Sequence, residues 1–596
     1  MRGILLNQEI FTIIVILVMF ILLVKNIYEP VVIFFAGVVI FLSFGIVSFD
    51  EVLSGFSNKG MMTVAGLFVI AGTIQKNPYI YSMANYFFGN KPRGKRTFCR
   101  VILPVTCLSA FINNTPVVAI FIPMIRKWAL NNQISPSKLL IPLSYASIFG
   151  GMLTLIGTST NLLVSGLLEE YGYHGLGMFE ITKVGLFLAI TGMFYLIFIA
   201  RRFLPNNEDL LETAKKNYRK YLITMTVEKG CKIIDKPVKK AGLRNLEGLY
   251  LVEVIRDGER IHPVNPEKVI IKEGDELVFT GQIETIVQLQ TIKGLRLHAS
   301  CDDYIKDFKN GQAQMVEAVV SDAFPFLNQT IKESNFRAKY DAAVVAVLRK
   351  GKRINEKIGN IKLRPGDTLL MLTSKDFFNT WGISKDFYII SNNVNYEAPK
   401  RWKKILSITS FIGLIILASL NILSVLHTTF IALALLFVTR SVSPKEAWKY
   451  INWDTIIIIA LSFGVGKALI NSGVADLVAN NLVNIMKTFG PIGVLAAVFV
   501  MTNIFTEMIT NNAAAVLSFP IAMSMAGQMG LDPRPFAIAV AIGASTCFAS
   551  PIGYQTNLMV YGPGGYKFTD FMKVGIPLNI IFMIISLITI PIFFPF

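Results

Sequence analysis

The chain has 596 residues, 53% of them hydrophobic and only 16% charged, with a mean hydropathy of +0.54 and a formal net charge of +18. These values lie outside the soluble globular range and mark a polytopic membrane protein whose partner is the lipid bilayer; they exclude a nucleic-acid binder, because basic residues flanking apolar runs are a topology signal. Five cysteines without CxxC spacing (Cys99, Cys107, Cys231, Cys301, Cys547) and dispersed histidines without HExxH argue against a disulfide framework and a zinc enzyme, so the cysteines read as packing residues.

Crossing a hydrocarbon core of roughly 30 Å takes about 20 helical residues. The first apolar run, Ile10 to Val24, is followed by no small-residue cleavage site and almost at once by a second run from Pro30, so it is read as a span and not as a signal peptide. Residues 1–203 then read as spans near 9–26, 30–47 and 60–77, a hairpin over 98–127 with its tip at Asn113-Asn114, a span over 139–168 broken at Gly157 to Asn161, and a span near 182–202.

Residues 204–400 have soluble composition and strand-like alternation, as in "GLYLVEVIRDGERI". The segment "AGLRNLEGLYLVEVIRDGERI" (241–261) matches "SNFRAKYDAAVVAVLRKGKRI" (334–354), and "IKEGDELVFTG" (271–281) matches "LRPGDTLLMLT" (363–373). Two copies of a small α/β unit, 204–310 and 311–400, follow from this. No GxGxxG follows a strand, so no nucleotide-binding Rossmann partner is expected.

Residues 401–596 read as spans near 404–421, 425–441 and 453–470, a hairpin over 490–527 with its tip at Asn511-Asn512, a span over 534–561 broken at Gly553 to Asn557, and a last span near 571–594. "FINNTPVVAIFIPMI" (111–125) matches "MITNNAAAVLSFPIA" (508–522), setting Asn113 opposite Asn511, 398 residues on. "TLIGTSTNLLVSG" (154–166) matches "SPIGYQTNLMVYG" (550–562), and "VSFDEVL" (47–53) matches "VSPKEAW" (442–448). Three matches in one order make the two apolar parts internal repeats. Five crossings per repeat is an odd number, so the second repeat enters the membrane inverted. Lys91, Arg93, Lys95, Arg96, Arg100, Arg126, Lys127 and Lys138 flank the first hairpin, against Lys487 and Arg534 at the second. By the positive-inside rule the first hairpin enters from the cytoplasm, the second from outside, and the middle part, flanked by Arg201-Arg202 and Lys400-Arg401, is cytoplasmic.

A half-way hairpin and a broken span leave unpaired backbone groups at mid-depth, which survive only when buried in protein or lining a wet cavity. Helix ends there suit an anion, and nearby carbonyls and Asn oxygens suit a hard cation such as sodium. The bland alternative is that Asn pairs and glycines merely join helices; four such motifs in matching order weigh against it. The motifs carry no Lys or Arg, so the charge of a dianion calls for bound sodium ions. Glu507 is the one acid close to a motif and is the residue a proton-coupled mechanism would need. A channel gated by the middle part is the competing class, but "VYGPGGY" lacks the repeated TVGYG ring of a potassium filter.

With these motifs the chain resembles the divalent anion:sodium symporters of the ion-transporter superfamily, whose hairpin tips read Ser-Asn-Thr and whose breaks read Gly/Ala-Thr-Pro-Pro-Asn. Here the tips are Asn113-Asn114-Thr115 and Asn511-Asn512-Ala513, and the breaks Gly157-Thr158-Ser159-Thr160-Asn161 and Gly553-Tyr554-Gln555-Thr556-Asn557. The paired prolines and one hydroxyl are missing. The resemblance implies sodium sites drawn from Ser109, Asn113, Asn114, Gly157, Asn161, Thr510, Asn512, Gly553 and Asn557. It implies substrate contacts from Asn113, Asn114, Thr115, Thr158, Ser159, Thr160, Asn511, Asn512, Tyr554, Gln555 and Thr556. It further implies symport of a small anion, sulfate ahead of a dicarboxylate, in the cell membrane. The middle units resemble the C-terminal (TrkA-C) domain of potassium-conductance regulators, which implies a homodimer and a small regulatory ligand sensed in the cytosol.

Overall fold

A computed structural model describes residues 2–25, 28–75, 95–207, 401–420 and 422–596 of the apolar parts, and of the middle part residues 222–243, 249–257, 259–261, 269–281, 294–297, 314–321, 323–349, 352–354, 356, 358–373, 377, 381 and 386–389. Lys91, Arg93, Cys301 and Lys400 of the sequence reading lie outside the described residues.

The first apolar part holds α1 (Arg2–Lys25), α2 (Pro30–Ser43), α3 (Phe49–Ser54), α4 (Lys59–Gln75), α5 (Lys95–Ser109), α6 (Asn114–Asn131), α7 (Ser137–Gly151), α8 (Ser159–Glu170) and α9 (Thr182–Phe198). Five stretches of the described residues are long and apolar enough to cross a membrane, Gln8–Lys25, Thr182–Arg202, Trp453–Asn471, Val474–Met508 and Phe568–Phe593, and shorter apolar helices fill in between them.

The middle part holds two five-stranded sheets. In the first, β1 (Leu222–Val227), β2 (Leu249–Arg256), β3 (Glu259–Ile261), β4 (Glu276–Gly281) and β5 (Leu295–Leu297) lie in the order β3-β2-β4-β1-β5. In the second, β6 (Gln314–Val320), β7 (Ala342–Arg349), β8 (Lys352–Arg353), β9 (Thr368–Thr373) and β10 (Phe387–Ile389) lie in the order β10-β6-β9-β7-β8, which is the same order read from the other edge. The pairings are antiparallel, with a short helix α10 (Phe336–Tyr340), so the described residues are β-dominated where an α/β unit is expected from the sequence. Both copies bulge at matched places, Leu251/Glu253 and Val344/Ala346. Both also carry the same bidentate ion pair: Arg256 Nε meets Asp275 at 2.7 Å and Arg349 Nε meets Asp367 at 2.7 Å, each arginine also donating to a backbone carbonyl. That hydrogen bond to the carboxylate raises each guanidinium's proton affinity further.

The second apolar part holds α11 (Arg401–Ser419), α12 (Val425–Val438), α13 (Pro444–Tyr450), α14 (Trp453–Asn471), α15 (Val474–Met486), α16 (Gly490–Met508), α17 (Asn511–Met529), α18 (Arg534–Ser545), α19 (Gln555–Tyr561) and α20 (Phe568–Phe593). The short helices α3 and α13, which apolar runs alone do not reveal, start on the same reciprocal capping box. Ser48 and Ser443 each accept from the third helical amide, and Glu51 and Glu446 return the bond to the cap. The match of "VSFDEVL" with "VSPKEAW" is the trace of those caps. The amphipathic α15 lies between the spans read from apolar runs.

Around the breaks, α7 and α18 are sunk almost entirely in protein, while the Ile576, Ile580, Ile584, Ile588 and Ile592 stripe of α20 faces outward. On a helix in lipid such a stripe needs no protein cover. Two glycines bring the last helix of each half onto its break. A Cβ on Gly185 would lie 2.1 Å from the carbonyl oxygen of Met152, and one on Gly575 would lie 2.1 Å from that of Phe548.

Candidate functional site

The breaks between α7 and α8, and between α18 and α19, are tied by the same device. Asn161 Nδ2 donates to the carbonyls of Gly151 (3.1 Å) and Thr154 (2.9 Å), and Asn557 Nδ2 to those of Cys547 (2.9 Å) and Ser550 (3.0 Å). Both side chains are wholly buried, and each restores two acceptors that the interrupted helix leaves over.

The hairpin tips are also built alike. Ser109 Oγ donates to Asn114 Oδ1 at 2.6 Å, and Thr506 Oγ1 to Asn511 Oδ1 at 3.0 Å. These bonds, and helix starts at Asn114 and Asn511 behind the N-caps Asn113 and Thr510, move the repeat register by one residue from the sequence match. Asn114 corresponds to Asn511, not to Asn512, and Asn512 corresponds to Thr115. Two adjacent asparagines in each tip misled the match; the helix start, which decides which side chain meets the Ser or Thr behind it, is not visible in residue identity. The second tip is therefore Thr510-Asn511-Asn512.

Each tip reaches across to the other half's break. Asn114 Nδ2 donates to the Tyr554 hydroxyl, which also bonds Thr158, and Thr115 Oγ1 donates to Gln555 Oε1 at 3.1 Å. In return, Ser159 Oγ and Thr160 Oγ1 donate to Asn512 Oδ1 at 3.2 and 3.3 Å. Gly157 and Gly553 sit where the backbones touch: a Cβ would come within 3.0 Å of the Ala110 carbonyl oxygen and within 2.2 Å of the Thr506 carbonyl oxygen respectively. The two tips and breaks thus meet through Asn114 and Thr115 with Tyr554 and Gln555, and through Asn512 with Ser159 and Thr160, with Ser109 and Thr506 behind the tips. Asn113, Thr115, Ser159, Thr510, Asn511, Asn512 and Gln555 are half-buried; Asn114, Thr158, Thr160, Asn161, Tyr554, Thr556 and Asn557 are buried.

The halves differ at two points. Ser144 Oγ on α7 bonds Asn557 Oδ1 at 2.7 Å and Thr556 Oγ1 at 2.9 Å, whereas Asn161 Oδ1 is buried without a hydrogen-bond partner, as is Thr510 Oγ1. Both are oxygens open to a ligand. Glu507 stands where the first half has Ala110. Its Oε1 accepts from the amides of Phe548 and Ala549 at 2.9 Å each and from Asn579 at 2.7 Å, and Cys547 Sγ lies 3.4 Å from Oε2. It caps the amides freed at the second break. Sequence reading missed Ser144 and Thr506, whose only signal is a small hydroxyl within an apolar helix. Cys231 and Cys547 pack in the interior as expected, while Cys99 and Cys107 are exposed on α5. Among the described residues no three His, Cys, Asp or Glu side chains gather as metal ligands.

Residues 15–543 match the sequence model of the citrate transporter family (CitMHS). The chain is 32% identical to a Chlamydomonas reinhardtii protein named "Putative sulfur deprivation response regulator", over 96% of this chain and 98% of that one. It is 30% identical to an uncharacterized transporter of Synechocystis sp., over 91% and 90% of the two chains, and 24% identical to sodium/sulfate cotransporter 2 of Chlamydomonas reinhardtii, over 91% and 84%.

Proposed function

From the premise that this chain belongs to the citrate transporter family, among the divalent anion:sodium symporters, and is a transporter and not an enzyme, we propose that it couples inward sodium to uptake of a divalent oxyanion, sulfate ahead of a dicarboxylate, by alternating access. The observation that carries this reading is the reciprocal seating of each tip on the opposite break, with no cationic side chain among the converging residues. The starts of α6 and α17 supply roughly half a positive charge each, about one in total against the two of a dianion. Sodium supplies the rest. One ion belongs with Ser109, Asn114, Gly157 and Asn161, whose Oδ1 is the open acceptor; the other with Thr506, Thr510, Asn511, Gly553 and Asn557. The half-buried Asn113, Thr115, Ser159, Asn512 and Gln555, with Thr158, Thr160, Tyr554 and Thr556 behind them, face the anion. Glu507 is held by four donors, so it serves the break and not a coupled proton.

The test is uptake of labelled sulfate, succinate or citrate by purified protein in liposomes under imposed sodium or proton gradients. Saturable sulfate uptake driven by sodium is the expected result. Uptake that ignores sodium and follows a proton gradient would sink the coupling.

We further read the repeats as inverted, with the middle part cytoplasmic in the cell membrane. Loop contacts support this by falling into two sets that the assignment keeps apart. Arg534 clasps Glu180 (2.5 and 2.7 Å), Lys467 meets Glu170 (3.3 Å) and Asn471 bonds Glu51 (3.1 Å), all between segments assigned outside. Asn207 bonds Ser137 (3.0 Å) and Gly564 (2.9 Å), and Lys403 bonds Arg440 (2.5 Å), all between segments assigned inside. Single cysteines replacing the exposed Tyr173 and Phe489 in a cysteine-free background should react with an impermeant maleimide on intact cells, and one replacing Lys567 only after permeabilisation. All three reacting on intact cells would refute the inversion. A homodimer, and a small cytosolic ligand for the middle units, complete the reading that the TrkA-C resemblance implies.

A further inference from the structure

The second middle unit is built into the transporter, whereas its first copy has no counterpart to those contacts among the described residues. Glu317 on β6 meets Arg126 on α6 at 2.6 Å, with both side chains almost fully buried. Val319, two residues on, packs in the apolar core of the transmembrane helices and not in its own sheet's core. In the turn that leads into the neighbouring strand β9, a Cβ on Gly366 would lie 2.8 Å from Leu558 and 3.6 Å from Tyr561, and a Cβ on Gly562 would lie 2.1 Å from Oγ1 of Thr368, the first residue of that strand. The matching glycine of the first unit, Gly274, has open space around it, and the register sets Thr224 where the second unit has Glu317.

The two elements gripped are the ones that meet in the site. Helix α6 starts at Asn114 and carries Arg126 twelve residues, roughly 18 Å, further along; α19 starts at Gln555 and ends at Tyr561, where the unit sits. Their first turns are already joined by Asn114 to Tyr554 and Thr115 to Gln555. We infer that the second middle unit is a bracket that fixes the spacing of α6, from one repeat, and α19, from the other, and so positions the first tip on the second break. Arg126, Glu317 and Gly562 are its positioning residues, and Thr368 is the neighbour that Gly562 leaves room for. The pairing of the second tip with the first break has no such bracket among the described residues, so the bracket sets anion affinity through one half of the site, and the middle part reaches the site by this route.

The inference rests on the transport reading, so the test carries one readout that does not. In liposomes, E317Q and G562A should each raise the KM for labelled sulfate at least about fivefold with Vmax within about twofold, since the groups that bind are intact but misplaced. T368A alone should leave uptake unchanged: the Thr368 hydroxyl is buried without a partner, and losing it strands nothing. T368A should also rescue G562A, because it removes the atom that the new methyl meets, 194 residues away in sequence. Rescue cannot come from a general loss of folding. Unchanged KM in both E317Q and G562A, or a raised KM that T368A does not restore, would overturn the bracket. If the wild-type protein takes up no anion, the transport reading fails, and the bracket is judged by thermal unfolding of the full chain. G562A should then lower the midpoint by about 2 °C or more and T368A should restore it; no shift, or no restoration, counts against it.

Discussion

Replacing Asn114 or Asn511 by Ala raises the sodium concentration for half-maximal uptake at least about tenfold, while Asn512→Ala raises the KM for the anion and leaves the sodium requirement within about twofold. The distinction follows from where each amide oxygen points. The Oδ1 atoms of Asn114 and Asn511 accept from Ser109 and Thr506 behind the tip, at the first residue of a helix, whereas Asn512 Oδ1 accepts from Ser159 and Thr160 of the other half's break. A buried cation that loses one oxygen ligand leaves a desolvation cost of a few kcal/mol unmet, and each 1.4 kcal/mol is about tenfold in affinity. The exposed Asn481, which only bonds the carbonyl of Leu477 in its own helix, is the control whose replacement should change neither quantity. Elution on size exclusion checks folding. Wild-type sodium dependence in both Ala variants would make these residues packing groups. A sodium defect in Asn512→Ala alone would restore the register read from the sequence.

A larger loss is expected from one added methyl group. Gly553→Ala should reduce uptake at least about 100-fold with the protein still monodisperse, because the new Cβ would fall 2.2 Å from the Thr506 carbonyl oxygen and 2.6 Å from Cys547 Sγ. The first of these is helix backbone of α16 and not the end of a flexible side chain, so helix and break must part by the better part of an ångström. A misplacement of that size costs on the order of 100-fold in catalytic sites, and a binding locus assembled from four backbone turns is no more forgiving. Gly157→Ala meets carbonyl oxygens at 2.8 and 3.0 Å and should lose less, roughly tenfold. Gly527→Ala, in the helix α17 with open space around it, should be neutral or gain up to about 1 kcal/mol from helix propensity. Transport by Gly553→Ala within twofold of wild type would show that this contact does not govern the site.

The helix interruptions at the two tips and the two breaks are legible in the sequence because membrane burial forbids loose polar backbone. Asn113 to Thr115, Thr510 to Asn512 and the two Gly-to-Asn segments therefore stand out against Ile, Val and Phe. What identity matching cannot see is which of two adjacent asparagines begins the helix. That is settled by the reach of Ser109 and Thr506 one turn behind, so the register came out one residue off at the second tip. The short helices α3 and α13 were present as a match and absent as elements, since six or seven capped residues make no apolar run. In the middle part the duplication was plain from Arg256, Arg349 and their partners, but the attachment of one copy was not. It depends on Glu317 and Arg126, two ordinary charged residues 191 apart that only the fold brings together.

The crossing of tip to opposite break also sets a schedule for biosynthesis. Asn114 and Tyr554 are separated by 440 residues. At about 5 to 20 residues per second, an emerging first hairpin waits roughly 20 to 90 seconds before the tyrosine it donates to has been made. During that interval its polar tip has no second repeat to rest on, and the middle sheets emerge in between. Pulse-chase protease protection of nascent chains ending before and after Tyr554 should show the first tip becoming resistant only in the longer ones.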